Sequence, residues 1–353
     1  MQAQKAWGWT LFWILILSIP CWGKVHGPCG NCHTMHNSQQ GQVVYSGGPV
    51  KALLNNTCYG CHQGQNTTTT TIPYVFDPDG PTYGTTGTES NTDTLAGGNF
   101  YWVSQGDKDR TGHNVEGIAA QDALLGNNPP GGSALSGRLT CAGANGCHGN
   151  RSIDDPYEAI SGGHHSSLSS QWKDGSSVAN SYRFLYGIQG LEDSSFEFRP
   201  TATQHNKYYG VDRSSESDVS GTISSLCAQC HGDYHHGTDQ VSAGTFGDGV
   251  WLRHPTDFDM GGAESSDEYQ YYNGGTGTDN PYSVAVPVAT SDTSTNVNTT
   301  VTVSSAAGSA IVMCLSCHRA HGTPYDAILR WNYKQWPGPD GYNGCAVCHT
   351  TKD

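Results

Sequence analysis

Two cysteines separated by two residues and followed at once by a histidine occur five times in this chain: Cys29/Cys32/His33, Cys58/Cys61/His62, Cys227/Cys230/His231, Cys314/Cys317/His318 and Cys345/Cys348/His349. Covalent attachment of c-type haem needs that order, because two thioethers pin one edge of the macrocycle and the histidine ligates the iron. A sixth site has a longer spacer. In CAGANGCH, Cys141 and Cys147 have five residues between them, and His148 follows. A disulfide or a zinc half-site is the plainer reading of such a pair. The trailing histidine is nevertheless what haem attachment requires, and the intervening Ala and Gly residues can loop out to bring both sulfurs to the macrocycle. Six haems then use all twelve cysteines from Cys29 onward, leaving none for a structural disulfide.

Of 16 histidines, six are proximal ligands by this count. The other ten are His26, His36, His113, His164, His165, His205, His235, His236, His254 and His321, and six are needed if every iron is bis-histidine. The expected distal set is His36, His113, one of His164 and His165 (here His165), one of His235 and His236 (here His235), His254 and His321. His36 poses a question of its own. If CHTMH is a helical turn, His33 and His36 share a face about 4.5 Å apart along the axis. His36 then cannot easily reach the far side of the iron that His33 ligates, and is either a surface residue or a ligand to another haem. Methionine is scarce after the leader (Met35, Met260, Met313) and is not expected as a ligand. Asp77-Pro78-Asp79-Gly80 faintly resembles a calcium loop but reads as a plain turn.

The attachment histidines lie 29, 86, 83, 87 and 31 residues apart, and each long interval carries at least one free histidine. A histidine tethered beside one haem but ligating another forces the two together, as electron transfer requires. The elements that must do this positioning are meagre. With 46 Gly and a hydrophobic share of 35%, the chain makes a small core without help from its haems. Polar stretches such as Asn66 to Asn99 and Ala289 to Ser309 lack helical periodicity, although NVNTTVTVSS alternates well enough for a strand. Short helices are expected around the haem motifs and near Ala327 to Tyr333. The expected fold class is a mostly irregular multihaem cytochrome c fold, with short α-helices and a few short β-strands, organised around a file of six haems.

Residues 1–23 read as a signal peptide: Lys5 precedes an apolar run from Trp9 to Pro20, shorter than the roughly 20 residues of a spanning helix. Residues 24–353 form the expected single hexahaem domain, exported to the cell exterior. Removing the leader takes the charge balance from 17 basic against 31 acidic residues to 16 against 31, or −15. So acidic a surface argues against nucleic acid as a partner.

The words CGNCHTMHNS, LLNNTCYGCHQG, TGHNV, YRFLYG, LCAQCHGDYHH, LRHP, CLSCHRAH and CAVCHTTKD occur in this order along nearly the whole chain. In them the sequence resembles the extracellular multihaem cytochromes that polymerise into conductive filaments, in particular the six-haem OmcS type. The resemblance implies a continuous file of bis-histidine haems. It also implies a homopolymer in which His36 completes the Cys314/Cys317 haem of the adjacent subunit. Outer-membrane electron-exit cytochromes and extracellular electron acceptors are the implied partners. The expanded third site departs from that pattern, as does the absence of a histidine in the CHGNRS that follows it. Three functions remain open at this point: a filamentous electron conduit, a monomeric periplasmic or surface shuttle, and a multihaem reductase. The last needs an open iron, often marked by a lysine in the attachment motif, and no C-x-x-C-K occurs.

Overall fold

The computed structural model describes residues 25, 27–166, 170–213, 218–235, 255–263, 266–304, 307–335 and 342–350. The expected leader, His26, His236 and His254 lie outside them. The described chain is mostly turns and bends, as the composition predicts. Its α-helices are α1 (Cys58–Cys61), α2 (Tyr101–Ser104), α3 (Pro156–Ala159), α4 (Ile223–His231), α5 (Ser266–Tyr269) and α6 (Cys314–Cys317). All but α4 are a single turn, too short to persist in isolation. Local chemistry holds several of them. Thr57 caps α1 by accepting from the Gly60 amide, and Asp155 caps α3 ahead of Pro156. Thr222 caps α4 by accepting from Ser225.

The strands are two residues each and pair antiparallel: β1 (Ser38–Gln39) with β2 (Gln42–Val43), β3 (Gly190–Leu191) with β4 (Lys207–Tyr208), β5 (Phe258–Asp259) with β8 (Ile311–Val312), and β6 (Asn280–Pro281) with β7 (Thr300–Val301). The alternating NVNTTVTVSS supplies β7. The expected helix near Ala327 to Tyr333 is instead two 3-10 turns, Asp326–Ile328 and Tyr333–Gln335. Asp77 forms the expected turn, its Oδ1 accepting from the Asp79 amide.

Three buried clusters seat the attachment sites. Ile223 and Leu226 of α4 pack with Leu315 of α6, Tyr182, Tyr208 and Ile311, so the helices bearing Cys227 and Cys314 are clamped together. A second cluster around Met260, Tyr272, Tyr282, Val286 and Trp331 has Cys317 and Cys348 against its margin. A third, Phe100, Val103 and Val115, holds Cys141. Each large apolar side chain so buried contributes about 1.5–3 kcal/mol. The small cores therefore do their packing beside the reactive thiols.

Candidate haem-binding sites

One backbone contact recurs at the attachment motifs: the amide of the histidine donates to the carbonyl of the first cysteine. The distances are 2.9 Å for His33 to Cys29, 3.0 Å for His62 to Cys58, 3.1 Å for His318 to Cys314 and 2.8 Å for His349 to Cys345. Cys227 to His231 lies within α4, where the same relation belongs to the helix. The expanded site reproduces it, with the His148 amide 3.0 Å from the Cys141 carbonyl. Its extra residues loop out, turned back by Gly143 at φ +85°, where a Cβ would come within 2.9 Å of the Ile153 carbonyl. Cys141 and Cys147 are not joined, and the other ten thiols from Cys29 onward are also free of disulfides.

The proximal histidines share a second feature. His33, His62, His148, His231 and His318 place Nδ1 on the carbonyls of Ala52, Pro73, Arg183, Pro130 and Ala327, at 2.7 to 3.0 Å. A carbonyl only accepts, so Nδ1 carries the proton and the neutral ring keeps its lone pair on Nε2. His349 has Nδ1 on a side chain instead, Glu268 Oε1 at 2.5 Å. Such contacts fix the tautomer and orientation of a metal-ligating histidine.

Four of these rings face a second imidazole. The centroids are 6.1 Å apart for His33 and His165, 6.1 Å for His62 and His164, 6.2 Å for His231 and His113, and 6.3 Å for His148 and His321. Two metal–nitrogen bonds of about 2 Å, each followed by about 1 Å from nitrogen to ring centre, put trans imidazoles about 6 Å apart. His113 holds its own Nδ1 on the Ala320 carbonyl at 2.7 Å. Burial, with the neighbouring imidazoles, pushes His321 down to about 3, and burial also lowers His62, His113, His148 and His318. These rings are kept neutral, as ligands must be. Paired thiols beside a bare Nε2, with a second imidazole one iron's width away, form a donor set that fits haem c. At the sixth site Met260, Tyr269, Trp331, Cys345, Cys348 and His349 line a partly open pocket.

The sites also follow one another in space. The Cys32 thiol is within electrostatic reach of Cys61, Cys58 of Cys141, Cys147 of Cys230, Cys227 of Cys314, and Cys317 of Cys345. Neighbours in sequence are thus neighbours in the fold, from first site to sixth.

The distal expectations meet the structure unevenly. His113, His165 and His321 each face a proximal ring. His164 does so too, so the rings of the adjacent pair lie near two different sites, His165 beside His33 and His164 beside His62. His235 sits on Asp257, with Nε2 2.8 Å from Oδ2, and not across from a proximal ring. His36 is exposed. His205, which the sequence reading set aside, is buried with Nδ1 on the Asn206 carbonyl and Nε2 on the Asn298 carbonyl, leaving no nitrogen for a metal. Glu268 was not foreseen, because nothing local in sequence links it to His349.

The chain is similar to known proteins in both sequence and fold. The doubled CXXCH motif model matches residues 24–67 and 307–353. The C-type cytochrome OmcS of Geobacter sulfurreducens is 25% identical over 90% of this chain and 82% of its own length. The outer membrane cytochrome S filament of that organism superposes with a TM-score of 0.54 at 23% identity, covering 88% of this chain and 85% of that one. A second structure, of the OmcS nanowires, gives 0.50 at 21% identity over 87% and 84%. Free thiol pairs, fixed imidazoles and this similarity in sequence and fold describe a chain that has the fold of the OmcS filament subunit and carries doubled CXXCH motifs at both ends.

Proposed function

We propose that the chain carries six haems c, each iron between two histidines, and polymerises outside the cell into a filament that conducts electrons. The observation that carries this reading is the set of four facing imidazole pairs at 6.1 to 6.3 Å. They support His165 as the second ligand of the first site, His164 of the second, His321 of the third and His113 of the fourth. His254 goes to the sixth, because its sequence neighbour Pro255 lines the pocket that holds His349. His318 of the fifth site is then matched with the exposed His36 of an adjacent copy. His36 is three residues from His33, so that bond brings the first site of one copy beside the last sites of the next and continues the file.

With histidine on both faces, no iron offers substrate a vacant position, which favours electron transfer over catalysis. Export through the leader would place the polymer between outer-membrane electron-exit cytochromes and extracellular acceptors. Electron microscopy of the secreted protein, with intact mass on the same sample, tests the reading. Filaments whose subunit mass exceeds the mature chain by six haems are expected. A monodisperse six-haem protein would instead make it a shuttle.

A further inference from the structure

Five proximal histidines give their Nδ1 proton to a neutral main-chain carbonyl, and His349 gives its proton to a carboxylate. Glu268 lies on α5 with 8% of its surface exposed, its Oε1 2.5 Å from His349 Nδ1. The placement is braced from both sides: the Thr350 hydroxyl donates to the Glu268 carbonyl at 2.7 Å, and the adjacent Tyr269 meets the His349 ring edge-on at 5.3 Å. The neighbouring fifth site has a cation beside Cys317, while the buried Asp257 near Cys314 is paired with His235. There the buried Arg330 donates from its amide to the Cys317 carbonyl at 2.9 Å and from Nε to the Leu315 carbonyl at 2.6 Å, inside the attachment motif.

We infer that Glu268 makes the haem attached at Cys345 and Cys348 the most reducing of the six. The inference rests on reading Cys345, Cys348 and His349 as a haem site. A carboxylate that draws the Nδ1 proton toward itself gives the imidazole part of the character of its anion, and so makes it a stronger donor to iron. The oxidised, more positive ferric state gains most from that donation. Buried negative charge near the iron acts in the same direction, and in a low-dielectric interior it is poorly screened. A fixed cation at the fifth site favours the ferrous form, so the two adjacent sites differ in potential, and an electron residing on the sixth passes downhill to the fifth.

The test is a redox titration of the intact holoprotein followed in the haem absorption bands, comparing the parent with Glu268→Gln. The double variant Cys345→Ala, Cys348→Ala identifies the sixth site by the component it lacks. In Glu268→Gln the most reducing component should become at least tenfold easier to reduce, about 59 mV for one electron. The other five components, the haem mass and the filament length should stay as they were. A six-haem Glu268→Gln protein that titrates like the parent overturns this inference alone, as does a shift shared equally by all six components. A holoprotein without haem at Cys345 and Cys348 overturns the site reading and the inference with it. Should Glu268→Gln fail to fold, the parent still decides: the component missing from the cysteine double variant must be the most reducing, and any other place in the order contradicts the inference.

Discussion

His33, His62, His148 and His231 each face an imidazole of the same chain across about 6 Å, whereas no ring among the described residues faces His318 in this way. In each of these four pairs the second histidine comes from distant sequence, and the fold sets its ring beside the proximal one. His321, for instance, is half-buried and stacked on Phe100 at 4.7 Å. His318 is equally well fixed, by the Ala327 carbonyl at 2.7 Å, yet lacks that partner. His36 is the reverse case, an exposed imidazole beside the first site with no proximal ring of its own. Four proximal rings have a second imidazole of the same chain opposite them, while His318 and His349 have none among the described residues; on the proposed reading His36 of another copy would serve His318.

The comparison can be broken most severely at the expanded third site, which depends on both its sulfurs. Cys141→Ala should weaken or abolish one attachment, read as a fall in intact mass by one haem. A parent protein with five haems and a Cys141 to Cys147 disulfide would remove that site from the four facing pairs.

A smaller effect is expected from His321→Ala, which keeps all six thioether attachments and opens one iron. One low-spin ferric signal should be lost and one site per chain should bind carbon monoxide, and an unchanged spectrum would mean that His321 is not the partner of His148. Acid should separate the two classes in the same assay. His321 titrates near 3 in the fold against about 6.5 in the unfolded chain, so its contribution to stability is complete above 6.5 and is lost as the pH falls toward 3. Each unit in that window costs about 1.4 kcal/mol. The proposed junction is formed by an exposed residue at the surface, so filaments should come apart under milder conditions than are needed to disturb the four facing pairs. Sedimentation and haem spectra recorded across one pH series check the order.

The smallest effect belongs to His205→Gln. Losing the ring's contacts with two main-chain carbonyls should cost about 1–3 kcal/mol in thermal or denaturant unfolding. The haem spectrum should not change, since neither ring nitrogen is available to iron.

Much of this architecture is legible in the sequence because thioether attachment is local: Cys29 to His33 or Cys345 to His349 can be read without knowing the path of the chain. Even Cys141 to His148 is legible, since its glycines permit the loop and its histidine marks the purpose. The irregular fold follows from composition. Distal pairing is not local. His164 and His165 look redundant in sequence, but successive side chains leaving a turn point in different directions, so one reaches the ring of His62 and the other that of His33. His235 follows an attachment motif closely, as His36 and His321 do, yet a buried Asp257 takes its nitrogen, and that carboxylate lies 22 residues away. His205 and Glu268 illustrate the same limit, because their partners are set by tertiary packing that no spacing records.

The central claim is that one iron in each subunit is completed by the next, and His36→Ala tests it most directly when polymer length and spectrum are measured on one preparation. The account predicts six attached haems, because Cys29, Cys32 and His33 remain. It also predicts short or absent filaments, and one iron per chain newly open to carbon monoxide. Filaments of normal length with six low-spin haems would contradict it, leaving His36 a surface residue and assembly dependent on some other contact.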